Sequence, residues 1–547
     1  MDNPQLLVKA SPPTWFKILI ISLIGLGIFF RFAHLEKKIY CCDESWTSVA
    51  ISGHTIAELK QEVSHHQGII AITSFDKYQH INPERGVADT VNYLITSDPQ
   101  HPPLYYVMVR LWAQVFGDSP TGVRSLSAII SLLIFPSVYW LCLELFESPV
   151  VGWVAMALVA VSPLQLYFAQ EARQYSLWMV EILVSSAALL RAIRQENKRN
   201  WAVYTLTLAL GLYTHLFTVL VMISHGIYAV IQQQFRFSKT SLNYILATIA
   251  ALLMFLPWLI VLITHIGTAL ELTSGWAIKW INNPFELIAI FGIRVTRIFF
   301  DLNLTSDTSV FNSFTLEGSL FYIIPALIFS LSLIIYLGLF IIKVPSNQAN
   351  LLIVLLGGFT SLFLVIYDLI YGGVRSIQLR YQLPLYLSLE IIVAYVLAFH
   401  IFQKQIWQTK IAQFTIIGLL IAGLISDVRF FQAESWWTQS SAKFIRETDE
   451  VLNQLERPLL VINNSPVNLG GILTLSHYSP KVRLLPIKDK DDELLRIPQD
   501  DHHILFMQNN STLFHQIEED KTYFLKTIKV LNPPPGGLWQ FDKIEQL

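Results

Sequence analysis

The segment PLYYVMVRLWAQVF, residues 103–116, is mostly apolar and carries one charge, Arg110, near its middle. A helix of that length rises only ~21 Å, short of a ~30 Å hydrocarbon core. Whether it crosses decides which side every later loop faces. Apolar runs long enough to span can be read at about 15–32, 123–144, 150–167, 174–192, 200–216, 217–234, 242–263, 319–342, 350–371, 381–402 and 409–426, about eleven in all. If 103–116 lies in the interface, the loops holding Arg191, Arg194, Lys198, Arg199, Arg236, Lys239, Lys343, Lys404 and Lys410 share the side of Lys9 and Lys17. Positive charge then stays inside along the whole chain. If the segment spans, that rule fails repeatedly. We therefore read 103–116 as a juxtamembrane helix and place the N-terminus in the cytoplasm. The first outer loop (34–122), the 170–173 turn, the 264–318 loop, the 372–380 turn and the C-terminal tail then share the outer face.

Composition agrees. The 547 residues are 53% hydrophobic and 14% charged, with a mean hydropathy of +0.48, the balance of an α-helical polytopic membrane protein. A net charge of -2 gives no sign of a nucleic-acid partner. Cys41, Cys42 and Cys142 build no disulfide framework. Residues 15–32 are long enough to span and no small-residue cleavage site follows them, so they do not read as a cleavable signal. The expected division is a transmembrane domain over 1–431 and a small extracytoplasmic α/β domain over 432–547. Short strands are expected at 459–462, 482–485, 504–507 and 523–525. Phe285 to Phe300 reads as an amphipathic helix, with Trp276 and Trp280 as interfacial anchors.

The chemistry-bearing residues gather on the outer face. Asp43-Glu44 opens a segment in which Trp46, Val49, Ala50 and Gly53 recur at helical spacing. A carboxylate at a helix N-terminus stays ionised and can take a proton from a hydroxyl, or can simply cap the helix. His101-Pro102-Pro103 holds a histidine at the loop–membrane junction, where it can donate to an anion or merely precede a proline-started helix. Glu171 and Arg173 lie in the 170–173 turn, a costly place for charge beside apolar helices. Arg380-Tyr381, with Arg375 nearby, opens a late span. An arginine fork there suits a phosphate or anchors a helix end. His215 ends another span, and no His/Asp/Glu spacing specifies a metal.

Together these pieces resemble the membrane-embedded glycosyltransferases of the GT-C fold. The likeness is to bacterial members of the dolichyl-phosphate-mannose protein mannosyltransferase family (family 39) and the aminoarabinose transferase group. It rests on Asp43-Glu44, on His101-Pro102-Pro103-Leu104-Tyr105-Tyr106, on Phe116-Gly117 with Arg124, on Ser162-Pro163 leading to 170–176, and on Arg380-Tyr381-Gln382-Leu383-Pro384. It covers about residues 15–430. The resemblance implies transfer of a sugar from a polyprenyl-phosphate donor to a hydroxyl acceptor (glycan, lipid or protein) at the outer face of a bacterial inner membrane. The catalytic candidates are Asp43, as general base, and Glu44. His101, Arg173, Arg375 and Arg380 are the candidates for the donor phosphate, and Glu171, Tyr105, Tyr175, His215 and Tyr381 for the rest of the substrate. Position 101 holds the histidine of mannosyltransferases, not the lysine of aminoarabinose transferases. No nucleotide-sugar site is required; the resemblance fixes no cofactor, and whether a divalent cation assists is left open. A polar-lipid flippase, or an inactive homologue that only binds, are the alternatives from other classes.

Overall fold

The computed structural model describes residues 12–41, 43–65, 68–277, 284–303, 320–343, 347–401, 406–437, 440–487, 503–508, 512–519, 522–530 and 536–543. Among them, eight helices are long and apolar enough to cross a membrane, or nine if a bent pair counts as one span. They coincide with nine of the expected runs. The other two, 200–216 and 217–234, are the helices Lys198–Thr214 and Thr218–Gln232, which are shorter.

The bent pair is Pro149–Ala160 and Pro163–Ala169, turned by 65°. Pro163 has no N–H to offer the carbonyl of Val159 four residues back, so the helix cannot continue. Arg31, fully buried near the end of the first span, supplies the missing donor. Its Nη2 donates to Val159 O at 3.0 Å and its Nη1 to Ala160 O at 3.3 Å. Glycines let neighbouring helices close on the break: a Cβ at Gly27 would meet Ala160 O at 2.4 Å, and one at Gly423 would meet Val161 O at 2.3 Å. Small residues at such crossings are what membrane helix packing selects.

The segment 103–116 forms the helix Leu104–Phe116. Arg110 points from it into the loop that follows the first span, donating to the carbonyls of Ile51 and Arg85, and to Asn82 O at 3.4 Å. Its charge is thus met by loop backbone. That loop also carries the helices Asp43–Ser52, Ile56–His65 and Val87–Ser97. Gly53, at φ +84°, ends the first of these in a conformation that favours glycine. The helix expected over 285–300 is Pro284–Thr296; Trp280 lies outside the described residues.

Beyond residue 440 a mixed sheet forms, in the order β1-β3-β2-β4-β6-β5. The strands are β1 (Ile70–Ala71), β2 (Leu459–Ile462), β3 (Arg483–Pro486), β4 (His503–Gln508), β5 (Tyr523–Val530) and β6 (Gly536–Lys543). β2 is parallel to both β3 and β4 and buried on both faces, as a central parallel strand should be. The four expected strands appear, and β6 and β1 join them. β1 belongs to the loop that follows the first span, pairing antiparallel with β3 through Ile70 opposite Leu484. The crossover helix Pro466–Tyr478 packs on the same loop: Tyr40 N donates to Tyr478 Oη at 2.7 Å, and Ser45 Oγ lies 3.3 Å from Thr474 Oγ1.

Gly423→Val places a branched side chain against Val161 O and should cost about 1–3 kcal/mol. The expected outcome is a lower melting temperature in detergent by circular dichroism; an unchanged melting temperature would mean that the helices do not approach so closely.

Candidate active site

The Asp43–Ser52 helix starts with two carboxylates whose surroundings differ completely. Glu44 is 1% exposed and points into the protein, where Arg124 grips it with Nε to Oε1 at 2.8 Å and Nη2 to Oε2 at 2.5 Å. Ala172 N also donates to Glu44 Oε1 at 2.8 Å. The remaining Arg124 donors reach the carbonyls of Leu35, Lys38 and Ile39 at 2.6, 2.8 and 3.2 Å. Every oxygen and nitrogen of this pair is thereby satisfied, so Glu44 is an anchor and does not face the cavity, contrary to its expected place beside Asp43 in the chemistry.

Asp43 points the other way, into a cavity of about 740 Å³. Arg380, 337 residues later, forms an ion pair and hydrogen bond with its Oδ2, and donates to Tyr175 Oη at 3.3 Å. Arg173 Nη1 donates to Asp43 O at 3.2 Å and to Thr47 Oγ1 at 3.3 Å, while its Nη2 lies 3.0 Å from His101 Nε2. An arginine can only donate, so that histidine nitrogen is the acceptor. The opposite nitrogen, Nδ1, faces Asp98 Oδ1 at 2.8 Å. Arg173 Nε is buried without a hydrogen-bond partner among the described residues. Burial pushes the Asp43 carboxyl up, but the charges of Arg380 and Arg173, with the hydrogen bond from Arg380, outweigh it and hold the group at about 2. Asp43 is therefore ionised while 40% of its side chain remains exposed.

The remaining expected residues divide. Tyr175, His215, Arg375 and Tyr381 line the same cavity. His215 stacks on Trp178 at 4.0 Å, Tyr381 meets Phe217 edge-on at 4.8 Å, and Arg375 lies 3.6 Å from Asp368. Tyr105 does not line it: its hydroxyl is buried 2.6 Å from Ser127 Oγ. Glu171 also lies behind the wall, accepting from Tyr167 Oη at 3.2 Å. Burial, helped by the like charges of Glu44 and Asp43, pushes the Glu171 carboxyl up to about 8.

Several lining residues escaped the sequence reading: Trp46, Lys60, Tyr93, Asp98, Phe363, Tyr367 and Leu469. Asp98 stands three residues before His101, a spacing that could have paired them. Phe359, Phe363, Tyr367 and Tyr371 recur every four residues and form a run of neighbouring rings 4.9–6.5 Å apart. A second, almost wholly apolar groove runs along that helix face, and Phe363 and Tyr367 border both it and the cavity. Among the described residues no group of three or more His, Cys, Asp or Glu could hold a metal ion.

This architecture matches solved structures across nearly its whole length. ArnT from Cupriavidus metallidurans bound to undecaprenyl phosphate superposes with a TM-score of 0.51 at 10% identity, covering 98% of this chain and 99% of that one. Its apo state gives 0.50 at 9% identity, covering 96% and 98%. The chain has the GT-C fold of membrane glycosyltransferases. The archaeal oligosaccharyltransferase AglB from Archaeoglobus fulgidus, in complex with an inhibitory peptide and a dolichol-phosphate, gives 0.48 at 11% identity, covering 97% and 75%. A family model described as dolichyl-phosphate-mannose-protein mannosyltransferase matches residues 100–261. That range contains His101, Arg173, Tyr175 and His215 of the GT-C cavity, but neither Asp43 nor Arg380. No curated protein matches the chain by sequence.

Because Glu171 is neutral at pH 7 in the folded protein, Glu171→Gln should keep the fold. A carboxyl raised from its unfolded value opposes folding increasingly as pH climbs from ~4.5 to about 8. The variant should therefore match the parent in melting temperature near pH 5 and exceed it increasingly towards pH 8. A variant that loses stability most at pH 8 would show that Glu171 is ionised.

Proposed function

We propose that this protein is an inverting glycosyltransferase that moves a sugar from a polyprenyl-phosphate donor to a hydroxyl acceptor at the outer face of the membrane. The observation that carries the reading is the meeting of Asp43 with Arg380 and Arg173 in one cavity that borders an apolar groove. The groove, lined by Phe359, Leu362, Phe363, Ile366, Tyr367, Ile370 and Tyr371, suits the polyprenyl tail. The arginines suit the phosphate, and Arg173 Nε has a donor to spare. The fold match to ArnT, solved with undecaprenyl phosphate bound, favours the same class of lipid here.

The chemistry is a single displacement. The acceptor oxygen attacks the anomeric carbon and gives its proton to Asp43. The bond from that carbon to the phosphate oxygen breaks, and its electron pair leaves on the polyprenyl phosphate. The extra negative charge develops beside Arg380 and Arg173. His101, wedged between Asp98 and Arg173, fixes where the Arg173 fork points. No covalent sugar–enzyme stage is needed, so the anomeric configuration inverts. Glu44 serves by locking the Asp43 helix in place.

Asp43→Asn should abolish transfer while undecaprenyl phosphate binds at least as tightly as to the parent, because the carboxylate no longer competes with it for Arg380 and Arg173. The measurement is release of polyprenyl phosphate from a labelled donor by pure protein in detergent, where a flippase has no second compartment to serve and would release nothing. Normal turnover by the variant would remove Asp43 from the mechanism.

Orientation is tested separately. In a variant stripped of its native cysteines, a probe at Arg199 should resist impermeant thiol reagents in whole cells, and one at Gln508 should react. The reverse pattern would place the cavity on the cytoplasmic side.

A further inference from the structure

The cavity draws part of its lining from each of two unlike sources, and Asp43 is among its lining residues. One part is built by the late spans and carries Phe363, Leu364, Tyr367, Arg380 and Tyr381, next to the apolar groove. The other is built only by the loop after the first span and the crossover helix Pro466–Tyr478, and carries Trp46, Ile56, Lys60, Tyr93, Gln100 and Leu469. In a single displacement the entering oxygen approaches opposite the leaving one. With the phosphate held by Arg380 beside the groove, the lining supplied by the first loop and the crossover helix is left for the acceptor.

The chemistry of that part names what it takes. Trp46 lies one helical turn beyond Asp43, so both side chains share a face. Its indole is partly exposed to the cavity, and no other ring stacks on it among the described residues. An aromatic face carries partial negative charge and so attracts the weakly positive C–H edges of a sugar ring. Lys60 and Ser97 line the same cavity. Gln100 does too; its Nε2 donates to Asp98 Oδ1 at 2.5 Å, but its Oε1 is buried with no hydrogen-bond partner. A peptide strand would need a run of backbone partners, and the described cavity offers no strand edge. An open indole in a cavity that also carries separate polar groups fits a polyhydroxylated ring.

Building on the glycosyltransferase reading, we propose that the acceptor is itself a sugar. Its ring stacks on Trp46, and Leu469 of the tail closes the site from above. Its hydroxyl oxygen forms the new glycosidic bond, the hydroxyl proton passes to Asp43, and polyprenyl phosphate leaves on the groove side. Trp46 acts as a specificity residue and Leu469 as a wall.

The test uses full-length protein in nanodiscs and two kinds of probe: methyl pyranosides of glucose, galactose and mannose, and an N-acetylated, amidated Ala-Thr-Ala peptide. Saturation-transfer NMR should detect at least one pyranoside, with affinity weakened about tenfold or more by Trp46→Ala and kept within about threefold by Trp46→Phe. Leu469→Trp, which narrows the same part from the tail, should weaken it similarly and serves if Trp46→Ala fails to fold. Binding of undecaprenyl phosphate should be unchanged in both. Peptide binding with no pyranoside signal, or pyranoside binding indifferent to both variants, would overturn the proposal. The two readings fail differently: turnover by Asp43→Asn would sink the glycosyltransferase chemistry while leaving sugar binding at Trp46 intact. Asp43-dependent release of polyprenyl phosphate with no Trp46-dependent sugar binding would sink this inference alone.

Discussion

Arg124 holds the loop after the first span to the membrane bundle, and the cavity depends on that grip. A guanidinium this deeply buried is costly unless its charge is paired and its donors are met. Here it collects three carbonyls from the chain leaving the first span, together with both oxygens of Glu44. Those contacts fix both the exit of the chain and the start of the Asp43 helix. Ala172 N joins the same carboxylate, so the turn bearing Arg173 is registered against that helix by one group. Adjacent acids thus divide the work. Neighbours on a helix point ~100° apart, which lets one face the interior as an anchor while the other faces the cavity.

The broken span applies the same logic to the membrane domain. Pro163 frees a carbonyl inside a bundle where water cannot serve it, and Arg31 donates to it from a neighbouring helix. The bend lets the chain turn through the short helix Pro163–Ala169 and deliver Glu171 and Arg173 beneath the Asp43 helix. An unbroken helix would carry these residues along the original axis. Two arginines at two backbone irregularities therefore position a cavity whose members are hundreds of residues apart in sequence.

Much of this was legible in the sequence, for identifiable reasons. Spans show because twenty apolar residues in a row have few other uses. Asp43, His101, Arg173 and Arg380 show because charge beside apolar runs stands out. The roles of Glu44 and Tyr105 were not legible, since each depends on which face of a helix meets Arg124 or Ser127, and spacing alone does not give that. The ring stripe from Phe359 to Tyr371 was present in the sequence with a clear period, yet it lies in a run where everything is apolar and periodicity has no contrast. The pairing of Ile70 with Leu484, and the reach of Leu469 into the cavity, are contacts across four hundred residues that no local pattern encodes.

The charge balance around Asp43 bears on the order of events. A carboxylate held at about 2 by flanking cations is a poor acceptor for a hydroxyl proton. On the proposed reading, the donor phosphate changes this by neutralising those cations. A unit charge at ~4 Å acts with at most about 4 kcal/mol at an effective dielectric of ~20, and with less where water screens it. Even a fraction of that returns the carboxyl towards its ordinary proton affinity. The base is then weak while the phosphate site is open and stronger once the donor occupies it. A water molecule or stray hydroxyl reaching Asp43 early meets an inert group. Activation of the acceptor is thereby tied to the presence of the sugar it is to receive, through electrostatics alone and without any moving lid.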